Sequence, residues 1–252
     1  MPLDEIQTEL GADRAALSAK VEELNATYRH HSATDVFRGA LQDGGDIALV
    51  SSFGAESVVL LHMIAEIDKA TPVIFLDTEM LFPETLAYQR EVSEKLGLTD
   101  VRIITPDRKD VLTEDVDGIL HLADTDACCD LRKTRPLEKA LADFGGWITG
   151  RKQFQNGQRA QLPLYEKDGR RIKINPLAGW SAQDLKAYMD RHNLPRHPLV
   201  AQGYPSIGCM PCTTRVSDHE DPRAGRWRGT EKTECGIHFG ADGRVSREGK
   251  AA

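Results

Sequence analysis

DIALVSSFGAESVVLLHMIAEIDKATPVIFLDT, residues 46–78, is the stretch that decides the fold. Its first seven residues are a short apolar run ending in two serines, too brief for a helix and suited to a buried strand. Gly54 interrupts the pattern, and ESVVLLHMIAEIDKA (56–70) continues it with the spacing of an amphipathic helix. PVIFLDT (72–78) is a second apolar strand that ends in Asp77 and Thr78. A strand, a tight turn, a helix and another strand open a parallel sheet with crossover helices.

The same alternation extends outward. PETLAYQREVSEKLG (83–97) predicts a helix with Pro83 in its first turn and Gly97 at its stop, and VRIITP (101–106) a third strand. An acidic stretch, 107–126, leads to a helix expected from Cys129 to Phe144, a short strand GWITG (146–150) and a polar, basic loop RKQFQNGQRAQ (151–161). RIKINP (171–176) makes a further strand, and SAQDLKAYMDRH (181–192) a helix with Ser181 as N-cap and Asp184 three residues on. Towards the N-terminus, Leu17, Val21 and Leu24 within 14–29, and the pattern of Ala33–Leu41, predict helices. From Asn193 onward Pro and Gly recur and periodicity disappears, as in a wrap-around tail. The expected class is α/β, a doubly wound, mainly parallel sheet. N-terminal helices (1–44) pack on a main domain (45–215), and a mobile C-terminal tail (216–252) follows.

The 252 residues, 40% hydrophobic and 28% charged, suffice for a large core and exclude a disordered or collagen-like chain. With 32 Lys+Arg against 39 Asp+Glu, the net charge of −7 argues against nucleic acid bound over a broad surface, though not against a local basic pocket for a small anion. No run approaches the roughly 18 apolar residues of a membrane span. The N-terminal segment lacks a basic region followed by an apolar core, so the expected location is cytoplasmic. The five cysteines, all between positions 128 and 235, are a poor disulfide framework and a better ligand set.

At the junction of the first strand and its helix, Ser51, Ser52, Gly54 and Ser57 offer hydroxyl and backbone donors where an open α/β sheet favours an anion. The turn matches neither G-x-x-x-x-G-K-[ST] nor G-x-G-x-x-G, and a serine-rich helix cap is the plainer alternative. The next strand ends Leu76-Asp77-Thr78-Glu79, placing Leu76 and Asp77 to meet a nucleoside or simply to cap a helix.

Cys128-Cys129 and Cys209-Met210-Pro211-Cys212 form the strongest constellation. Four thiolates can hold zinc or an iron–sulfur cluster. Adjacent cysteines suit a cluster, where each sulfur binds a different iron, better than a single ion, whose ligand pairs are commonly spaced C-x₂₋₄-C; zinc stays open. Cys235 stands apart, in a polar context beside His238 and after Arg223, Arg226, Arg228 and Lys232, with Glu231 the one acid within 223–232. Positive charge of this kind lowers a thiol pKa and attracts an anionic substrate.

In this order, S-S-F-G-A-E-S (51–57), L-D-T (76–78), C-C-D-L-R-K (128–133), C-x-x-C (209–212), R-A-G-R (223–226) and E-C-G-I-H (234–238) resemble the assimilatory sulfonucleotide reductases. Within that family the likeness is to the cluster-bearing bacterial members that act on adenosine 5′-phosphosulfate (APS). The resemblance runs from about residue 45 to 240. It implies a fold like that of the adenine nucleotide α-hydrolases. Carried over by position, Cys128, Cys129, Cys209 and Cys212 would bind a [4Fe-4S] cluster, and Lys133 would lie between cluster and substrate. Ser51, Ser52 and Gly54 would form a modified phosphate loop, Leu76 and the 77–79 turn would hold adenosine, and Arg223, Arg226 and His238 would surround the sulfate. Gly150 and Arg151 match the start of an arginine-bearing loop, and Glu79 stands where many relatives have Gly.

The implied chemistry is attack of the Cys235 thiolate on the sulfur of APS, with AMP leaving and an S-sulfocysteine formed. Thioredoxin then resolves it and releases sulfite. The implied role of the cluster is electrostatic, a positive contribution relayed through Lys133. The alternatives are reduction of the 3′-phosphorylated nucleotide PAPS, an ATP-dependent tRNA sulfur transferase and an iron–sulfur redox sensor. The transferase loop S-G-G-x-D-S is not matched at Phe53 and Glu56, and a sensor leaves Cys235 and the arginines unexplained. The sequence does not fix whether the chain forms a homo-oligomer.

Overall fold

The structure is a computed structural model that describes residues 3–43, 46–155, 159–230 and 232, with side chains from Arg14 onward. Its six strands form one sheet in the order β3-β2-β1-β4-β6-β5. They are β1 Ile47–Ser51, β2 Val73–Leu76, β3 Val101–Ile104, β4 Gly146–Ile148, β5 Tyr165–Asp168 and β6 Arg171–Ile174. β5 runs antiparallel to β6, and the pairs β1–β2, β2–β3 and β4–β6 are parallel. The chain separates into two compact units: residues 1–48 with 143–180 and 239–252, and residues 49–142 with 181–238. Among the described residues no helix is long and apolar enough to cross a membrane.

In the second unit, β1 carries Leu49 opposite Val73 of β2, and β2 carries Ile74 opposite Arg102 of β3. The crossover helix α3 (Ser57–Ile67) buries Val58, Val59, Leu60, Leu61, Met63, Ile64 and Ala65. A helix that is apolar on nearly every side belongs inside a domain. Helix α4 (Pro83–Leu96) begins on Pro83 and stops at Gly97, whose φ of 68° lets Leu98 N–H reach back to the Ser93 carbonyl. Helix α9 (Ala182–Arg191) starts with the expected reciprocal cap between Ser181 and Asp184.

The acidic stretch differs from expectation. It holds three short helices, α5 (Arg108–Glu114), α6 (Leu120–Ala123) and α7 (Thr125–Cys129). The helix expected over 129–144 starts four residues early, because Asp124 caps it by accepting from the N–H groups of Asp126 and Ala127, both at 2.9 Å. It then widens into a π-helical turn, Asp130–Thr134, before continuing as α8 (Arg135–Ala140). Such bulges add a residue to one turn and concentrate at functional sites.

In the first unit, the long helix α1 (Leu3–Tyr28) and α2 (Ala33–Asp43) accompany β4, β5 and β6. The edge strand β5 is not announced by its sequence, Tyr-Glu-Lys-Asp. It is completed by Asn25 of α1, whose side-chain amide donates to the Tyr165 carbonyl and accepts from the Tyr165 N–H, at 2.8 and 3.0 Å. An amide that pairs both ways with a strand satisfies the open edge as a neighbouring strand would.

Candidate functional site

The second unit gathers the candidate residues at the carboxyl ends of β1 and β2. After Ser51 the backbone turns sharply at Phe53, which adopts a left-handed φ of 47° with its ring fully buried and edge-on to Phe75. Two of the serines shape this turn: Ser51 Oγ accepts from Phe53 N–H, and Ser57 Oγ from Gly54 N–H at 3.0 Å. Ser52 stays exposed, its hydroxyl 3.5 Å from that of Ser57. No side chain caps α3; within its first turn Ser57 N–H and Val59 N–H donate to the Gly54 and Glu56 carbonyls at 3.2 and 3.3 Å, and the helix start faces the serine turn, where a helix N-terminus favours an anion. A methyl group at Gly54 would come within 3.3 Å of Ser52 Oγ, so a larger residue would have to turn that hydroxyl aside.

β2 ends at the half-buried Leu76, and the next three residues form a turn in which Asp77 Oδ1 accepts from Glu79 N–H at 2.9 Å. Asp77 is therefore a turn former, not the cap of a helix. Glu79 has a left-handed φ of 59°, the conformation glycine adopts most easily and the physical reason Gly suits this position. Thr78 is buried, and its hydroxyl lies 3.2 Å from the Cys209 sulfur while accepting from Met80 N–H. Met210 N–H donates to the Met80 carbonyl, so the turn after β2 and the Cys209 loop are sewn together.

Cys128 and Cys129 close helix α7, and both are buried. Three and four residues later, in the π turn, stand Arg132 and Lys133, which are also buried. Arg132 is held by Asp115, at 2.9 and 3.0 Å, and its Nη1 donates to the Thr78 carbonyl. One guanidinium thereby connects the helix of the first cysteine pair to the turn that holds Cys209.

Cys209 and Cys212 flank a single 3₁₀ turn. Thr213 steadies it, donating from its hydroxyl to the Cys209 carbonyl at 2.8 Å and accepting from Gly208 N–H. The Arg-Ala-Gly-Arg segment folds back on this loop. Thr214 N–H donates to the Gly225 carbonyl, Trp227 N–H to the Cys212 carbonyl, and Arg226 Nη1 to the Ile207 carbonyl. Gly225 is required here, since a Cβ would lie 2.2 Å from the Thr214 carbonyl oxygen. The Arg226 guanidinium stacks on the Trp227 ring at 4.4 Å.

The four cysteines of the two pairs are free thiols that share one electrostatic environment. Burial, with Cys209 next in importance, pushes the Cys128 thiol up to about 11. Burial and Cys209 also raise Cys212, against the opposing pull of Lys133, Arg226 and Lys232. Lys232 reaches Cys129 with a hydrogen bond from the other side. Among the described residues, no three His, Cys, Asp or Glu side chains converge closely enough to hold one metal ion. Two buried donors beside the thiols, Trp227 Nε1 and Arg226 Nε, have no hydrogen-bond partner among the described residues. Clustered thiols with unused donors beside them fit a multi-atom iron–sulfur cluster, whose ligand sulfurs sit on different metal atoms.

Other candidates fall elsewhere. Arg223 engages Asp221 through its backbone N–H, one turn before Arg226. Gly150 and Arg151 belong to the first unit, where Arg151 pairs with Glu166 and donates to Asn175. Cys235 and His238 lie outside the described residues. The basic run before Cys235 is less cationic than its sequence suggests. Arg228 is paired with Glu220 at 2.7 Å and Lys232 with Asp126 at 2.5 Å, acids too distant along the chain to be counted locally. Sequence reasoning gave no role to Arg132, Asp115 or Trp227, and placed Thr78 only in the 77–79 turn, not against Cys209. Arg132 and Thr78 lie inside the motifs C-C-D-L-R-K and L-D-T, whereas nothing local marks Asp115.

The profile of the phosphoadenosine phosphosulfate reductase domain matches residues 46–215. A protein of Mesorhizobium japonicum named adenosine 5′-phosphosulfate reductase is 49% identical over 240 residues, covering 94% of this chain and 93% of its own. The crystal structure of a phosphoadenylyl-sulfate (PAPS) reductase from Candida auris, a phosphate complex, superposes with a TM-score of 0.66 at 28% identity. It covers 78% of this chain and 96% of that one. Yeast FAD synthetase shares the fold alone, with a TM-score of 0.51 at 15% identity over 77% of this chain and 74% of its own. A mainly parallel α/β sheet with a serine-lined turn after β1, two cysteine pairs in the same unit as that turn, and this extent of likeness place the chain in the phosphoadenosine phosphosulfate reductase domain family.

Proposed function

We propose that the protein is an adenylyl-sulfate reductase of sulfate assimilation, converting adenosine 5′-phosphosulfate to AMP and sulfite with an external dithiol as reductant. The observation that carries this reading is the meeting of both cysteine pairs with Lys133, Arg226 and Lys232 in the unit that also holds the serine turn after β1. The relative at 49% identity, named for the APS reaction, supports the substrate.

In this reading the phosphosulfate lies at the carboxyl ends of β1 and β2. The first-turn amides of α3 and the exposed Ser52 hydroxyl receive its phosphate, Gly54 leaves room for it, and Leu76 with the 77–79 turn holds the nucleoside. Arg223, Arg226 and His238 neutralise the sulfate end. That charge would otherwise repel an approaching thiolate. Cys235 attacks the sulfur; the S–O bond to AMP breaks as the new S–S bond forms, leaving an S-sulfocysteine and free AMP. A thiolate of the dithiol, for which thioredoxin is the proposed donor, then attacks the Cys235 sulfur and expels sulfite. The second dithiol sulfur closes its own disulfide and returns Cys235 reduced. Cys128, Cys129, Cys209 and Cys212 would hold a [4Fe-4S] cluster, which when bound contributes electrostatically beside Lys133. Reduced thiols of this kind belong to a reducing compartment such as the cytoplasm.

The test is a single turnover: anaerobically purified protein mixed with APS, or with PAPS, without dithiol, followed by peptide mass mapping. Sulfonation of Cys235 by APS and not PAPS is the expected result, with Cys235→Ser abolishing it while iron content stays constant. Equal labelling by PAPS makes the enzyme dual-specific, and absence of label on iron-replete protein overturns the reading.

A further inference from the structure

Lys232 is the last described residue, and it is not a surface lysine in the usual sense. Its side chain is 10% exposed, against 74% for Lys186 on helix α9. The ammonium donates to the Thr125 carbonyl at 3.3 Å and to Asp126 Oδ1 at 2.5 Å, both in the first turn of α7. It also hydrogen-bonds Cys129, at the far end of the same helix, and lies over the Trp227 ring, 5.9 Å from Nζ to the centroid. A lysine ammonium held on three acceptors beside an aromatic ring is a directed contact, because four rotatable bonds are fixed to make it. Asp126 has a second attachment, its N–H donating to the cap residue Asp124, so the anchor point is itself rigid. In sequence, Lys232 precedes Cys235 by three residues, and three residues of chain span at most about 11 Å.

We propose that Lys232 is a positioning residue: its ammonium ties the chain leading to Cys235 onto the first turn of α7, the helix that delivers Cys128 and Cys129. The proposal rests on the reading of Cys235 as nucleophile. It assigns Lys232 a task distinct from that of Lys133, since Lys133 stands within the π turn while Lys232 comes from the segment that must approach the substrate. The four acceptor and packing partners are not interchangeable with bulk charge, which separates this role from a general contribution of positive potential.

The experiment uses full-length, iron-replete protein and two readouts. Trypsin cleaves after lysine, so the rate of cleavage at the 232–233 bond reports whether Lys232 is docked, with cleavage after Arg228 as the internal control. Asp126→Asn is expected to speed cleavage after Lys232 several-fold without changing that after Arg228. In single-turnover sulfonation by APS, Lys232→Met is expected to lower the rate at saturating nucleotide roughly tenfold, the weight of a charged hydrogen-bond set. AMP affinity and iron content should stay constant. Lys232→Arg should recover most of that rate, and Lys232→Met with Asp126→Asn should be no slower than Lys232→Met alone, because both remove one interaction. Wild-type cleavage and sulfonation rates in the single variants overturn the proposal, as does a double variant whose losses multiply. If the wild-type protein is not sulfonated while Asp126→Asn still exposes Lys232 to trypsin, the reductase reading fails and the docking contact stands.

Discussion

Cys128 and Cys129 arrive on a helix, whereas Cys209 and Cys212 arrive on an irregular loop, and the two deliveries depend on different kinds of interaction. The first pair closes α7, with Asp124 capping the helix start and the π turn following at once. Its local structure needs few partners from distant sequence. The second pair has one 3₁₀ turn of its own. Apart from the neighbouring Thr213, which bonds Gly208 and Cys209, what holds it comes from elsewhere: Thr78 and Met80 from the turn after β2, Gly225, Arg226 and Trp227 from the segment that folds back. The helix-borne cysteine pair is secured mainly by short-range bonds, and the loop-borne pair mainly by long-range ones. The join between them is the Arg132–Asp115 pair.

Breaking that join has the largest expected effect. Asp115 and Arg132 are both buried, and Arg132 also satisfies the Thr78 carbonyl. Removing one partner strands a buried charge, so Asp115→Ala should cost about 3–5 kcal/mol in urea unfolding and, in protein carrying the proposed cluster, release iron. Asp115→Asn, which keeps a hydrogen-bond acceptor, should cost less than half as much. Equal losses in the two variants would show that packing, not charge, holds the join.

The loop-borne pair rests on a small core of Phe82, Leu199 and Ile207, beside which His197 is buried. Its Nε2 lies 3.1 Å from Thr85 Oγ1, its Nδ1 accepts from Leu199 N–H, and its ring packs on Tyr88. Burial pulls its pKa down to about 4, with Glu84 opposing weakly. The folded state thus keeps the ring neutral while the unfolded chain takes up a proton near pH 6.5. Stability from this group is fully present above pH 6.5 and declines as pH falls towards 4, by roughly 2–3 kcal/mol over the interval. In His197→Gln that part of the pH dependence of unfolding should vanish. A profile unchanged by the substitution would assign the acid sensitivity to carboxylates instead.

The contrast between the pairs also explains what could be read beforehand. Cys128-Cys129 and the strands around them were legible because adjacency, apolar runs and caps are local signals. The role of Arg132 was not, since its partner Asp115 lies across an acidic stretch with no helical pattern and its target is a backbone carbonyl, which no side chain in the sequence advertises. β5 was missed for the same reason: Tyr165-Glu166-Lys167-Asp168 has no apolar alternation, and its edge is completed by Asn25 from far along the chain. Lys232 was counted as a free charge because Asp126 is more than a hundred residues away.

A smaller perturbation sharpens the comparison at one bond. Thr78→Val removes the hydroxyl that lies against the Cys209 sulfur and accepts from Met80 N–H, while keeping the branched shape. The expected cost is about 1 kcal/mol, felt as faster loss of iron from the loop side under a chelator. Loss of iron at the wild-type rate would mean that the Met210–Met80 backbone bond alone secures Cys209.

The smallest effect is expected at Glu79, where two terms oppose each other. Its left-handed φ of 59° strains any residue with a Cβ, by about 1 kcal/mol, and glycine relieves that strain. Against this, glycine loosens the unfolded chain by up to about 1 kcal/mol and gives up an ion pair with Arg132 at 3.5 Å. That pair is weak, because the Glu79 side chain is 53% exposed and water screens it. The turn itself survives, since the bond from Glu79 N–H to Asp77 uses the backbone. Glu79→Gly should therefore shift the unfolding free energy by less than about 0.5 kcal/mol and leave iron content unchanged. A loss near 2 kcal/mol would instead show that Arg132 needs both carboxylates, and that the join between the two cysteine pairs is a three-residue network.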